Sequence, residues 1–472
     1  RTRKRTGTTA SARRTRRLLQ RAFWTFASAL ISFGVDAIGF VRLAFAYEDP
    51  DDDVAFLDIR GDGYDLTGSN TMNPPWEEPK KTGFGYLLFT KENGTGAEFT
   101  PPPEEQGIGE VLTVYEDLGG DTSSRPYGLA VSPVTDEIYF TDNLRNQVLR
   151  IGTDGSIYLV AGNINTWEGR QDGPASTSYF WGPQGIAVDN SGNVFVADTM
   201  NYVVRMVDPT ERDVLPFAGS GIYGHADGPF DECKFLRPVA VTCDPEGSVY
   251  VADAEDNTIR RISYKETYGI HMCDTIVGLP QDQGISDGIG RFASFRDLSA
   301  IVVHPHFDVQ DFRSGPNSFF YSACRHHDRR IRKMRLDRFY EEYSEVWSIT
   351  GSKAGLSQPL GHVDGPSQLA MFHTITGLSF DKDANLFIVD SGNQAVRKLS
   401  PKGEVTTVVG DGRKISGIDN PAYFRFEGPS RRVSLTDPEG ITIDASGNIY
   451  IADTGAFRIV KVLSVVDPKA WA

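Results

Sequence analysis

The sequence predicts an all-β fold, a closed propeller of six blades, and three observations support this prediction. A pattern of apolar alternation, a turn and a second strand recurs at intervals of about 55 to 77 residues. Each copy except the last holds four short strand-like stretches separated by turns rich in Asp, Asn, Ser and Gly. Segments of helical periodicity are nearly absent from residues 109–466.

The copy that begins at Pro183 shows the pattern most plainly. In residues 185–189, 193–197, 202–207 and 214–218, apolar residues alternate with polar ones or form short runs, which predicts four antiparallel strands. Residues 189–193 read Asp-Asn-Ser-Gly-Asn and supply the residue types that tolerate the positive φ of hairpin turns. The related copies begin at Pro126, Pro238, Gly377 and Pro438.

A sixth, divergent copy spans residues 298–350, and Cys324 stands there where the other copies have aspartate. The last copy stops near Val466 after three strands. Residues 109–114 match the outer strand of the fifth copy at 403–408 and precede the first blade. We therefore predict that this N-terminal strand completes the last blade, which removes the exposed sheet edge of an open ring.

The motifs Pro-x-Gly-Ile-Ala-Val-Asp, Gly-Asn-Val-Phe-Val-Ala-Asp-Thr and Asn-x-x-Val-Arg follow one another in residues 183–205. Asp-Gly pairs precede several copies, at 172, 227, 287 and 364. Together these motifs resemble the NHL-repeat family of β-propellers over residues 109–466. The resemblance implies the propeller fold but no single activity, because one fold hosts many functions.

An aspartate ends the second strand of each regular copy, and an arginine follows in the third strand of most copies. We predict that the aspartates cap backbone N–H groups locally in their turns and that the arginines brace neighbouring blades. The aspartates are Asp142, Asp198, Asp253, Asp390 and Asp453, and the arginines are Arg150, Arg205, Arg260, Arg332 and Arg397.

Three segments precede the propeller: residues 1–17 are basic and resemble a targeting sequence, 18–46 contain a single hydrophobic helix, and 47–108 form an acidic, Pro-rich extended linker. Residues 22–41 are apolar enough to cross a hydrocarbon core of about 30 Å. We expect a membrane anchor, with a cleaved export signal and an amphipathic or core helix as alternatives. Residues 467–472 form a C-terminal tail.

Five residues of these segments are candidates for contact with a partner complex. Asp36 and Arg42 are expected to make intramembrane or interfacial polar contacts. Trp76, Phe84 and Tyr86 lie in the linker, and large apolar groups in such a segment indicate that it lies against another protein.

Charge and cysteine content argue against a nucleic-acid-binding protein and against a disulfide-rich protein. The net charge is −15, and ten of the basic residues lie within residues 1–42, so the rest of the chain carries a formal −24. Such an acidic body argues against nucleic-acid binding, which needs a basic face. Four cysteines are too few for a disulfide framework. Buried free thiols are favoured over a Cys233–Cys243 disulfide.

The sequence holds no phosphate-binding loop, nucleophile elbow, Cys-x-x-Cys pair or zinc-protease motif, and we expect neither an enzyme nor a cofactor. Four histidines of the divergent copy are weak candidates for a metal site: His304, His306, His326 and His327. They support the alternative function, a metal-dependent lyase or hydrolase with its site at the mouth of the propeller channel.

The favoured function is a non-catalytic scaffold subunit that binds a multi-subunit membrane complex through protein contacts. Residues 18–46 would anchor the protein in the membrane, with the propeller on the trans, lumenal side. A thylakoid location in a plastid is favoured, and the mitochondrial inner membrane and the bacterial periplasm are the alternatives. Loop insertions at 304–318, 336–345 and 411–436 are expected to set specificity.

Overall fold

The computed structural model describes residues 46–48, 54–56, 109–116, 124–306 except 209 and 211, 319–325, 328–336, 344–350, 360–412 and 428–464. The chain divides into two compact units, residues 1–100 and 101–472. In the first unit, Ala46–Glu48 pairs antiparallel with Val54–Phe56. Ala46 therefore begins a strand rather than ending the predicted helix.

Several predicted features lie outside the described residues. They are the basic segment, the rest of the hydrophobic helix, most of the linker and of the three loop insertions, the C-terminal tail, and the residues Asp36, Arg42, Trp76, Phe84 and Tyr86. In the part of the chain that the structure describes, no helix is long and apolar enough to cross a membrane.

The second unit consists of six antiparallel sheets, which are the six blades of a propeller. Short 3-10 helices follow several strands, at Thr199–Asn201, Gly290–Phe292, Ser391–Asn393, Ser430–Arg432 and Thr454–Ala456. From the centre outward, the four main strands of blade 1 are Pro126–Val131, Ile138–Asp142, Gln147–Ile151 and Ile157–Ala161, and those of blade 2 are Pro183–Val188, Val194–Asp198, Val203–Val207 and Asp213–Ala218. Blade 3 has Pro238–Cys243, Val249–Asp253, Thr258–Lys265 and Ile270–Val277, and blade 4 has Leu298–Val303, Phe319–Cys324, Ile331–Arg335 and Glu345–Ser348. Blade 5 has Ile375–Phe380, Leu386–Asp390, Ala395–Leu399 and Glu404–Val409, and blade 6 has Ile441–Ile443, Ile449–Asp453, Arg458–Val462 and Glu110–Glu116.

Blades 2 to 6 carry a fifth strand of two residues that the sequence pattern did not predict. Each lies within the linker from the preceding blade, and it pairs with the beginning of the outer strand, as Gly173 does with Val214. A two-residue strand is too short to show periodicity. The others are Gly228–Pro229, Gly288–Ile289, Gly365–Pro366 and Gly428–Pro429.

The N-terminal strand closes the ring, as the sequence predicted. Glu110–Glu116 pairs antiparallel with Arg458–Val462, so the outer strand of blade 6 comes from the start of the propeller. Val111 of this strand is fully buried in the apolar core of the last two blades. The Thr454 hydroxyl also donates to the Pro126 carbonyl oxygen at 2.7 Å, which joins the last blade to the first.

The inner strands pack tightly around the centre, and this explains the glycine of the Pro-x-Gly motif. A Cβ atom on Gly185 would lie 2.6 Å from Cα of Ala240 in the next blade. A Cβ atom on Gly440 would lie 2.1 Å from the Tyr127 carbonyl oxygen of blade 1. Only glycine permits this approach of neighbouring backbones.

The hydrophobic core lies between facing sheets. Tyr250 and Ile276 of blade 3 share one apolar cluster with Phe295, Leu298 and Met334 of the blade 4 segment. The four cysteines are free, and three of them are buried. The favoured prediction of free thiols is thus what the structure shows.

Candidate functional site

One face of the ring, which we call the upper face, holds the turns between second and third strands together with the segments that lead into the inner strands. All five repeated aspartates end their second strands at this face and are fully buried. Buried carboxylates need hydrogen-bond donors. The donors show what these residues do.

Each of these carboxylates accepts a backbone N–H from the segment before the inner strand, and Asp198 and Asp390 also accept an asparagine side chain of their own turn. Asp198 accepts the Trp181 N–H at 2.8 Å. Asp253 accepts two backbone N–H groups, from Leu236 at 2.9 Å and Arg237 at 2.7 Å. Asp390 and Asp453 bind the backbone of His373 and Thr436 in the same way.

The predicted local capping is therefore wrong for most of the set. Asp142 alone among the five accepts backbone N–H groups of its own turn, from Leu144 at 3.1 Å and Arg145 at 2.9 Å. Local capping belongs to a different aspartate, in the turn between first and second strands. Asp189 accepts N–H groups from Ser191 and Asn193, both at 2.8 Å. Asp244 and Asp381 repeat this arrangement, and Asp444 accepts the Asn448 N–H at 2.8 Å.

Four of the repeated arginines hold the inter-blade linker of their own blade. Arg205 is almost fully buried and donates to the Tyr179 carbonyl oxygen at 2.5 Å, to Gln171 O at 2.7 Å and to Asp172 Oδ1 at 2.6 Å. Its guanidinium carbon lies 4.6 Å from the centre of the Phe180 ring. Arg260, Arg332 and Arg397 repeat the set of two linker carbonyls, a linker aspartate and a buried phenylalanine.

The divergent blade 4 replaces the missing carboxylate from another position. Cys324 ends the second strand and pairs with Leu298, where aspartate stands in the other blades. Asp328, four residues later, accepts from Arg332 Nη1 at 3.1 Å and also binds Arg330. Both arginines and Asp328 are buried. Sequence reasoning missed Asp328 because it lies outside the repeated spacing.

Arg150 does not occupy the position of these arginines. It lies one residue further along its strand, where it pairs with Glu137 and stacks 4.2 Å from the centre of the Tyr158 ring. In blade 6 the brace is Arg458, whose Nε donates to Asp453 Oδ2 at 2.8 Å. A one-residue shift turns a side chain to the other face of its sheet.

Burial changes the acidity of the aspartates at the upper face. Loss of hydration raises the pKa of Asp198, Asp253 and Asp453 to about 6, although their arginine and N–H partners favour the charged form. Burial likewise raises the pKa of Asp390. These groups serve the architecture, and a shifted pKa in such a network is not a sign of catalysis.

A polar network crosses the centre of the ring. Arg325 follows the second strand of blade 4 and donates to the Tyr127 hydroxyl of blade 1 at 3.2 Å. It also pairs with Glu439, in the segment before the inner strand of blade 6. Blade 4 stands opposite blade 1 in a ring of six, so this side chain spans the central channel. No motif or repeated spacing in the sequence indicates this network.

Burial shapes the titration of the groups in this cross-channel network. Loss of hydration, with Glu439 adding to it, raises the pKa of the Tyr127 phenol to about 12. Burial also raises the pKa of Glu439, and Arg325 opposes this change. The phenol thus remains a hydrogen-bonding group without charge near neutral pH.

Two of the four candidate metal ligands are described. His304 packs against the rings of Tyr321 and Phe380, and its ring centre lies 5.6 Å from that of His306. Burial lowers the pKa of His304 to about 4. His326 and His327 lie outside the described residues. Within the described ranges, no three His, Cys, Asp or Glu side chains are grouped closely enough to hold a metal ion.

Exposed apolar side chains accumulate on the upper face of blades 1 to 3, and we call this the apolar surface. Trp167 and Ile164 are 63% and 78% exposed. Large apolar side chains that remain in solvent on a folded protein are typical of interaction sites when they are contiguous. The apolar surface comprises Leu144, Ile164, Trp167, Trp181, Met200, Ile222 and Tyr223.

Backbone and ring contacts bring the segments that carry these side chains next to one another. Asn146, beside Leu144, donates to the carbonyl oxygen of Thr166 at 3.2 Å. The Met200 N–H donates to the Trp181 carbonyl oxygen at 3.1 Å. The rings of Tyr202 and Tyr223 lie 5.4 Å apart, edge to face. The surface thus extends from blade 1 to blade 3.

Comparison with known proteins identifies a matching family model and several similar proteins. A model of the NHL repeat matches residues 180–203 and 435–462. NHL repeat-containing protein 2 of Homo sapiens is 26% identical over 354 residues, which cover 72% of this chain and 46% of that protein. Protein SUPPRESSOR OF QUENCHING 1, chloroplastic, of Arabidopsis thaliana is 27% identical over 161 residues, 31% of this chain and 15% of that protein.

A shorter relative is covered more fully. NHL-repeat-containing protein 4 of Homo sapiens is 31% identical over 106 residues, which make up 22% of this chain and 68% of that protein. The chain spans less than half the length of the first two relatives. Among solved structures, an auxiliary nutrient binding protein from Bacteroides thetaiotaomicron VPI-5482 has a TM-score of 0.52 at 16% identity, covering 76% of each chain. That likeness concerns the fold.

Proposed function

Because this chain belongs to the NHL-repeat family of β-propellers, we propose that its propeller is a non-catalytic module that binds another protein. The observation that supports this function is the apolar surface on blades 1 to 3. Its two tryptophans, Trp167 and Trp181, are the residue type that most often dominates binding energy at protein interfaces. A ring braced by buried arginines holds them on a rigid support, which lowers the entropy cost of association.

We propose further that the partner belongs to a membrane complex of an organelle. The apolar residues 22–41 and the basic residues before them support an anchor or a targeting signal. The chloroplastic relative from Arabidopsis thaliana supports a plastid location. Within the plastid, we propose that the propeller lies on the lumenal side of the thylakoid membrane. The linker residues Trp76, Phe84 and Tyr86 would add contacts along the same complex.

The experiment is solubilisation of the native membrane in mild detergent, size separation, and mass spectrometry of the proteins that co-migrate with this chain. We expect co-migration with one large complex at fixed stoichiometry. A chain in which both Trp167 and Trp181 are replaced by serine should lose that complex, because losing two interface tryptophans typically weakens binding about 30-fold or more.

A matched control comes from the opposite face of the ring. Tyr268 and Phe292 are 68% and 76% exposed and lie at the lower end of blades 3 and 4. Their double replacement by serine should leave co-migration unchanged. Equal loss in both variants, or none in either, would contradict the proposal that the apolar surface binds the partner. Urea unfolding of both variants verifies that the propeller is intact.

A further inference from the structure

A cleft of about 210 Å³ lies on the upper face at the junction of blades 3 and 4. Its walls come from the segments before two inner strands, with Arg237 on one side and Arg296 and Asp297 on the other, and from the turn that holds Glu255 and Asn257. It borders the apolar surface, because the Tyr223 hydroxyl donates to Glu255 Oε1 at 2.7 Å. A protein bound to the apolar surface would therefore reach the cleft.

Two arginines line the cleft, and one of them has a donor without an acceptor. The Nε–H of Arg237 is buried and has no acceptor within the described residues, and its Nη2 lies 3.8 Å from Asp297 Oδ1. Arg296 is partly buried and lines the cleft without an ion-pair partner among the residues that the structure describes. Both arginines keep part of their side chains in solvent, so their guanidinium groups can donate to a ligand oxygen in the cleft.

The two acidic side chains of the cleft already have partners. Glu255 accepts the Tyr223 hydroxyl, and Asp297 lies beside Arg237. The formal charges of the two arginines and two acids cancel. Recognition here would depend on the planar guanidinium donors, which match the two oxygens of a carboxylate, rather than on long-range attraction.

The backbone of the cleft is fixed by contacts to both sides. Asp297 adopts a left-handed conformation with φ of 62°. Its N–H donates to Asn257 Oδ1 at 2.9 Å, and its carbonyl oxygen accepts the Arg325 N–H at 2.8 Å. The cleft is thus joined to the cross-channel network through one residue. A preformed site of this kind binds without a large ordering cost.

We propose that this cleft binds a peptide carboxylate through Arg296 and Arg237. This proposal rests on the proposed function, since the carboxylate would belong to the protein that covers the apolar surface. It can come from an acidic side chain or from a chain terminus, and the chemistry of recognition is the same.

Ligand-observed saturation-transfer NMR on the full chain tests the proposal with three probes. N-acetylglutamate N-methylamide carries a side-chain carboxylate, N-acetylglycine carries a terminal one, and N-acetylglutamine N-methylamide carries none. We expect at least one carboxylate probe to bind at millimolar concentration and the glutamine probe to give no saturable signal. The stronger carboxylate probe identifies the source.

Variants locate the binding. Arg296→Gln should raise the dissociation constant about tenfold or more, because a charge-assisted hydrogen bond is lost. Arg237→Lys keeps the positive charge but loses the planar pair of guanidinium N–H donors, so it should weaken binding as well. The control is Arg291→Gln, an exposed arginine outside the cleft, which should bind the probe normally.

Equal binding of the glutamate and glutamine probes would overturn the proposal, and so would unchanged binding by Arg296→Gln. The tryptophan double variant separates the two hypotheses, since neither tryptophan lines the cleft. If it loses the complex and still binds the carboxylate probe, both proposals are supported. If carboxylate binding is absent while the tryptophans prove necessary for the complex, the cleft proposal alone fails.

Discussion

At the scale of single residues, the repeat is built around a buried arginine. Arg205 is removed from water, and every polar group it meets belongs to the linker or to Asp198 at the strand end. A guanidinium suits this position because its planar donors satisfy several acceptors at once, which a lysine cannot do. The ring of Phe180 covers one face of the plane.

The first prediction compares two arginines that the sequence pattern treated as equivalent. Arg205→Met should lower the free energy of unfolding by about 3–5 kcal/mol, because Asp198 and the linker carbonyls lose their donor inside the core. Arg150→Met should cost less than about 1 kcal/mol, because Arg150 is partly exposed. Equilibrium urea unfolding of both variants measures the difference. Equal costs would mean that the linker brace contributes nothing specific.

The second prediction concerns the pH dependence of stability. The pKa of Asp198 is about 6 in the folded chain, above its ordinary value of 3.8. The folded state therefore takes up a proton more readily than the unfolded state, so this group adds stability below about pH 4 and loses it as the pH rises to 6. Asp198→Asn cannot titrate and should lack this contribution.

Urea unfolding at intervals from pH 4 to pH 7 tests this dependence. The difference in unfolding free energy between the parent chain and Asp198→Asn should change by up to roughly 1.4 kcal/mol per pH unit within the window. Asp208→Asn supplies a comparison at an aspartate that is not buried in this network. A constant difference between parent and Asp198→Asn at all pH values would contradict the raised pKa.

Only part of this residue chemistry could be predicted from the sequence. The repeated spacing of aspartate and arginine indicated an architectural role, since repetition inside one chain reports the common fold. The partners could not be predicted, because Arg205 binds carbonyl groups 26 and 34 residues earlier in the chain. Asp328 was missed because it lies outside the repeated spacing. Arg150 was misaligned because a shift of one residue changes the face of the sheet.

At the scale of elements, the strand Glu110–Glu116 completes blade 6 and removes an open sheet edge. Its position could be predicted because residues 109–114 resemble residues 403–408, the outer strand of blade 5. The two-residue fifth strands could not be predicted, since each depends on a linker that folds back along the outer strand of its blade.

The third prediction tests this closure. Val111→Asp places a charge in the apolar core between the last two blades and should lower the free energy of unfolding by about 3–5 kcal/mol. The neighbouring Glu110 is exposed, and Glu110→Asp should change stability by less than about 0.5 kcal/mol. Light scattering after mild heating should show aggregation of Val111→Asp before the parent chain, as expected of a freed edge. Stability and aggregation equal to those of the parent would show that the strand is dispensable.

At the scale of the whole molecule, Arg325 connects blade 4 to blades 1 and 6 through the centre of the ring. Its partners Tyr127 and Glu439 are 198 and 114 residues away in the chain. No local pattern encodes such a contact, because it arises only when six blades close into one circle. The apolar surface could not be predicted either, since the turns and linkers that form it are adjacent only in the folded ring.

The fourth prediction is an energetic coupling across the channel. A double-mutant cycle of Arg325→Met and Glu439→Gln, measured by urea unfolding, should give a coupling of about 1–3 kcal/mol. The exposed pair Arg335 and Glu345 is the control, and its coupling should stay below about 1 kcal/mol. If the two cycles give the same small value, the cross-channel contact does not hold the ring together.

The closure of blade 6 has a consequence for synthesis of the chain on the ribosome. The strand Glu110–Glu116 is translated before any blade, yet its partner Arg458–Val462 emerges last. Blades 1 to 5 can each assemble from consecutive strands as they appear, whereas the strand Glu110–Glu116 must wait unpaired for more than 300 residues of translation. The nascent chain therefore carries an unpaired strand throughout synthesis of the propeller, and we expect this to be the stage of propeller synthesis at which a chaperone is most needed.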